Sequence, residues 1–211
     1  MTSLQNQFLI AMPSLDDGYF NKTVTYICEH DDKGAMGLII NLPINITLQE
    51  LLEQIDEEDE EEDTSNVEQQ LTSANLSDIS DVQEQQSDKN SLEQLVLSGG
   101  PVAQQRGFVL HSTQQGWGSS LALNKELMIT TSKDILLALG TTSEPDKYMV
   151  TLGYASWGPG QLEQELQSNS WLTAPVDNDI IFNTPIEQRW KKATNNLGID
   201  LAHLSNEIGH A

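Results

Sequence analysis

The sequence predicts an α+β domain built on a mixed sheet with flanking helices. Three observations predict it. The stretch from Phe8 to Pro43 holds three short apolar runs, Phe8–Met12, Thr23–Cys28 and Ala35–Ile40, separated by Asp, Gly, Asn and Pro. Runs of that length, rich in Val, Ile and Tyr, read as strands. Helical stripes come later and at irregular spacing, and no repeat is present. Hairpins early and helix crossovers late exclude a regular doubly wound parallel sheet.

Taken in order, each element has a local reason. Val24, Tyr26 and Cys28 fall on one side of the second strand. Asp31-Asp32-Lys33-Gly34 predicts a hairpin, with Gly34 free to take positive φ. Thr47-Leu48-Gln49-Glu50 fits a capping box, in which Thr47 accepts from the Glu50 amide and Glu50 reaches back. Leu48, Leu51, Leu52 and Ile55 continue it as a helical stripe. Leu95–Leu97 reads as a strand, Ser98-Gly99-Gly100-Pro101 as a tight turn, and Gly107–His111 and Leu127–Thr130 as further strands. Ser132–Leu139 reads as a short helix, capped by Thr131 or Ser132 and closed by Gly140. Lys147–Ala155 reads as a long strand, with Tyr148, Val150, Leu152 and Tyr154 alternating. Pro159 suits the first turn of the next helix, whose buried side Leu162, Leu166 and Trp171 mark. Ile180–Phe182 reads as the last strand. Thr184-Pro185-Ile186-Glu187 reads as a capping box with an N1 proline, opening a helix that Gly198 stops. The tail from Leu204 to Ala211 reads as mobile.

Charge separates one segment from the rest. The chain has 211 residues, with 32 acids, 10 Lys plus Arg and a formal charge of -22. Of those acids, 13 fall between Asp56 and Asp88, where there is no Lys or Arg, so the remainder has 19 acids against 10 bases. From 56 to about 90 the composition is Gln, Ser, Asn, Asp and Glu with isolated apolar residues. Such a segment buries too little apolar surface to offset its ordering entropy. It reads as a disordered or loosely helical acidic insertion in one domain spanning 1–211. A surface of this sign repels nucleic acid and anionic membranes. The lone Cys28 excludes an internal disulfide and suits a reducing cytoplasm. Neither a basic leader nor an apolar run near the ~18 residues of a membrane span is present.

Four motifs carry a family resemblance. The stretch FLIAMPSLDDGYFNKTVTYICEHDDKGAMGLIINLP opens the chain at Phe8. It is followed by LSGGPVAQQRGFVLHS (Leu97–Ser112), GYASWGPGQLEQELQSNSWL (Gly153–Leu172) and TPIEQRW (Thr184–Trp190). In that order they resemble the YqgE/AlgH family of small bacterial proteins. The resemblance implies a single domain of coiled, branching β-sheet with flanking helices. It implies no catalytic residue, because none is established for the family. The AlgH name carries a label of transcriptional regulator. Residues 56–90 depart from the family pattern by being longer and more acidic there.

The candidate chemistry is sparse. On a regular strand Cys28 and His30 share a face, where an imidazolium would lower the thiol pKa and expose a thiolate. With His111 the pair approaches a metal set, although no third ligand is spaced to fix one. The plainer reading makes Cys28 a small core hydrophobe. Gly99 and Gly100 with Arg106 would present N–H groups and a guanidinium to an anion. The plainer reading is a turn, since neither nucleotide-binding glycine pattern is complete. Glu163 and Glu165, two apart on a helix, diverge rather than form a dyad. The four Trp read as core or rim packing, because a stacking platform for nucleic acid needs basic neighbours. No Ser-His-Asp order or nucleophile elbow is present.

These observations favour a cytoplasmic, non-enzymatic interaction or indirect regulatory protein, with no cofactor and an unknown protein partner or small anionic ligand. The alternative is a small-molecule binder or enzyme using Cys28, His30, Gly99, Gly100, Arg106 and His111. A direct transcriptional regulator is disfavoured by acidity. The sequence further predicts that Arg106 faces the Gly99-Gly100 turn in a shared groove, with His30 or His111 at its rim.

Overall fold

The computed structural model describes residues 3–15, 17–55 and 92–198. The three early apolar runs become β1 (Gln7–Ala11), β2 (Val24–Asp31) and β3 (Gly34–Ile39), paired antiparallel in succession. The expected hairpin joins β2 to β3, and Gly34 takes a φ of 134° there. A strand not anticipated, β10 (Trp171–Pro175), pairs with β1 and ends this side of the sheet. On the other side lie β9 (Tyr148–Trp157), β6 (Val102–Ser112), β8 (Leu127–Thr130) and β7 (Ser120–Ala122), in that order. Two more strands, β4 (Pro43–Thr47) and β5 (Leu95–Ser98), branch from this path.

The branch point is on β9. One edge of β9 pairs with β6. The other edge is shared: β5 runs parallel to it at Thr151 and Leu152, and β3 then runs antiparallel to it from Ala155 to Trp157. The hand-over falls at Gly99, whose N–H donates to Leu152 O and whose carbonyl accepts from Ile39 N–H, both at 2.8 Å. The chain then crosses β9 to become β6. A Cβ on Gly153 would stand 2.5 Å from the Gly100 carbonyl oxygen, and Gly153 itself has a φ of 73°. Residues 98–101 are therefore a strand crossing pressed on the β9 backbone rather than a tight turn. Glycine is required there because two backbones touch.

Helices cover the sheet and define three buried clusters. Phe8, Tyr26, Leu38 and Leu110 pack with Ile180 and Ile181 of α4 (Asn178–Phe182) and Ala193 of α5 (Arg189–Asn196). Leu9, Ile27, Trp157 and Trp171 pack with Leu162 of α3 (Gln161–Gln167). Val96, Val109 and Val150 pack with Leu48 and Leu51 of α1 (48–55) and Ile135 of α2 (Lys133–Ala138). The box at the start of α1 is formed as expected. Glu50 N donates to Thr47 Oγ1 at 3.2 Å, and Thr47 N donates to Glu50 Oε2 at 2.7 Å.

Several expectations are corrected. Ile180–Phe182 is helical, because Asp177 Oδ1 accepts from Asp179 N at 2.9 Å and caps α4. A local cap outweighs a short β-branched run there. Pro159 precedes α3 instead of opening it; Gly160, with a φ of 73°, is the N-cap. Thr184 forms no capping box, since its hydroxyl donates back to Asp179 O at 2.8 Å. Ile186–Gln188 is consequently a 3₁₀ turn, and α5 begins only at Arg189. The strand expected at Gly107–His111 starts at Val102, with a break in its pairing between Val102 and Gly107. Ser132 is the N-cap of α2, yet its hydroxyl donates to the Asp134 carboxylate rather than closing the cap. The segment 56–90 and the tail from Leu204 lie outside the described residues. No helix among the described residues is long and apolar enough to cross a membrane.

Candidate functional site

The expected pairing of Cys28 with His30 is not formed, and the cause is a β-bulge. The register of β2 on β3 shifts between Ile27 and Glu29, leaving Cys28 without a partner residue. The extra residue resets the alternation, so His30 leaves the face that Cys28 occupies. Cys28, 2% exposed, packs with Tyr26 and Leu38, and its Sγ lies 3.9 Å from the Tyr26 carbonyl oxygen. Burial, and after it the charge of Glu29, pushes the thiol pKa far up. That environment opposes a thiolate.

His30 is tied into a structural joint. Its Nδ1 accepts from Leu4 N–H at 2.9 Å and its Nε2 donates to Glu163 Oε1 at 2.7 Å. A backbone N–H only donates, so the proton sits on Nε2. The ring thereby fastens the N-terminal segment and α3 to β2. The Glu163 carboxyl is held low by its own backbone N–H first and by His30 after it. His111 is fully buried; Nδ1 donates to Ser112 O at 2.8 Å and Nε2 accepts from Thr130 Oγ1 at 2.9 Å. Burial lowers its pKa. Both histidines are thus neutral hydrogen-bonding spacers between elements.

Arg106 stands apart from the glycines. It lies on the exposed stretch 101–106, with its guanidinium 5.6 Å over the Phe108 ring and its Nη2 donating to Thr131 Oγ1 at 3.4 Å. It walls a groove of about 490 Å³ with Glu29, Asp31, Lys33, Phe108 and Trp157. Gly99, Gly100, His30 and His111 are not among its walls, so the shared groove predicted for them is not formed. The Gly99 N–H is already bonded to Leu152, which leaves no anion nest at that position. An adjoining cavity of about 290 Å³ touches Cys28, Glu29 and Phe108. Cys28 and Arg106 therefore wall neighbouring spaces, and the other four candidates are held in the framework.

Two groups escaped the sequence reading. Glu165 Oε2 accepts from both Trp157 Nε1 at 2.9 Å and Trp171 Nε1 at 2.8 Å, while Phe20 packs edge-on to Trp171. Arg189 is 7% exposed, which is unusual for a guanidinium. The signal available was an Arg in TPIEQRW flanked by Ile186 and Trp190, both of which pack against the core. Among the described residues no group of three His, Cys, Asp or Glu is placed to hold a metal ion.

Comparison with known proteins agrees with this architecture. The AlgH-like family model, DUF179, matches residues 8–202. A UPF0301 protein of Colwellia psychrerythraea is 69% identical over the full length of both chains, and one of Pseudoalteromonas translucida is 48% identical over the same span. The solution structure of the AlgH protein from Pseudomonas aeruginosa superposes with a TM-score of 0.71 at 39% identity, covering 100% of this chain and 97% of that one. A Corynebacterium diphtheriae protein shares the fold at 17% identity and a TM-score of 0.62, covering 93% of this chain and 87% of that one. The branched sheet, the glycine crossing and these matches place the chain in the AlgH-like (UPF0301) family.

Proposed function

We propose that this chain is a non-enzymatic interaction protein of the cytoplasm, with any regulatory effect exerted through a bound partner. One observation carries this reading: the side chains that looked reactive are committed to structure. Cys28 is buried and driven toward the neutral thiol, and His30 is turned away from it onto Glu163. A nucleophile needs an adjacent base within hydrogen-bond reach, which Cys28 lacks among the described residues.

The contact surface in this reading is the Arg106 groove. Arginine over an aromatic ring, beside a second cation and near Trp157, is the composition of an interface anchor. A small anionic ligand is the second reading, favoured by a groove volume within the ~300–1,000 Å³ of small-molecule sites. Affinity recovery from the native cell, followed by mass spectrometry, tests both against Arg106→Ala and a Lys125→Ala control. The expected outcome is loss of one protein band with Arg106→Ala alone, at an unchanged melting temperature. Equal recovery from all three proteins removes the groove from the account.

A further inference from the structure

We propose that the cavity beside Arg189 is a binding site for a small monocarboxylate with an apolar body. This goes beyond the Arg106 groove, with which it shares no wall residue. The cavity measures about 560 Å³ and opens between the starts of β5 and β9 and the α4–α5 segment. Leu97, Ile181, Phe182 and Ile186 supply apolar wall, and Arg189 supplies charge.

The guanidinium is only partly satisfied by the fold. Nε donates to Thr184 O at 3.0 Å, and Nη1 donates to the Ile40 carbonyl with Met149 Sδ 3.3 Å away. Among the described residues Nη2 has no hydrogen-bond partner and no carboxylate forms an ion pair with Arg189. The unpartnered polar atoms sealed within the described interior are Thr25 Oγ1 and Trp117 Nε1. Nη2 is not one of them, and Arg189 is among the residues that wall this cavity. Burial lowers the Arg189 pKa to about 10, and the nearby charge of Glu187 opposes that shift only in part.

A carboxylate in the cavity would accept from Nη2 and pair directly with the guanidinium. Lys147 adds a second cation to the walls, and Glu144 and Asp146 oppose it. Glu144 is occupied, its Oε2 accepting from Gly140 N at 2.8 Å and Tyr148 OH at 3.1 Å. A wall with cations and acids balanced favours a singly charged anion over a dianion such as phosphate. The apolar wall then favours a ligand whose body leaves water.

Nitrogen-edited NMR titration of the full chain with hexanoate, hexanamide and inorganic phosphate tests the site. Hexanoate is expected to shift amides of 147–149, 181–184 and 186–189, together with the Arg189 Nε–H, to saturation. Its affinity should exceed that of hexanamide about tenfold, the scale of one charge-assisted hydrogen bond. Because Arg189 also holds two carbonyls, Ile186→Glu is the informative variant: it adds a carboxylate to the wall that Arg189 shares and changes neither Thr184 nor Ile40. It should weaken hexanoate about tenfold and hexanamide by less than about threefold. Absent or unsaturable shifts, equal binding of acid and amide, or indifference to Ile186→Glu would overturn the site. So would phosphate saturating the same amides as tightly as hexanoate.

Discussion

Replacing Glu165 by Ala removes the acceptor shared by the Trp157 and Trp171 indoles, which are 5% and 4% exposed. Two buried donors left unpaired should cost about 2–4 kcal/mol, read as a lower urea midpoint with altered tryptophan fluorescence. The pH response has a sign set by His111. Its folded pKa lies below the ordinary value, so between about 6.5 and that lower value the unfolded chain binds the extra proton. Stability must then fall as pH drops through that window. Urea unfolding at pH 7.5 and 5.5 should show the fall, and His111→Gln should flatten it. Little of this was legible beforehand, because a histidine's role depends on what lies across the sheet. The Cys28 bulge was equally hidden: alternation in sequence reads as continuous whether or not the ladder slips by one residue.

At the scale of elements, apolar periodicity found β1, β2, β3, β5, β8 and β9 and the later half of β6, which together supply most of the sheet. It missed β10 because Trp171 continued the apolar pattern of α3. It misassigned Ile180–Phe182 because three apolar residues carry no period, and the deciding signal was the Asp177 cap. The Ser98–Pro101 glycines were legible as a special backbone but not as a crossing, since the strand they cross is distant in sequence. Gly153→Ala tests that crossing. Its Cβ would meet the Gly100 and Val102 carbonyls at a positive φ, so both backbones must move. We expect a loss of at least about 3 kcal/mol in chemical denaturation, or failure to accumulate folded protein. Gly116→Ala, at a positive φ with open space around it, should cost only about 1 kcal/mol. Similar losses for the two would show that φ alone matters and that the close approach does not.

The molecule as a whole is acidic, and that bears on partners. Net negative charge outside residues 56–90 predicts no duplex binding at physiological salt, by fluorescence anisotropy with random or promoter DNA. Submicromolar binding would revive a direct regulator. Composition predicts that replacing 56–90 with a short Gly/Ser linker shifts the melting temperature by only a few degrees. We propose that this protein works by binding, with Cys28, His30 and His111 buried in the framework. Alkylation of Cys28 by iodoacetamide at pH 7.5, in native and urea-unfolded protein, tests that most directly. Native protein should react at least roughly 100-fold more slowly than unfolded chain, because the thiol must wait for local opening. Native reaction faster than that of the unfolded chain would mean an activated thiolate, and would contradict the account.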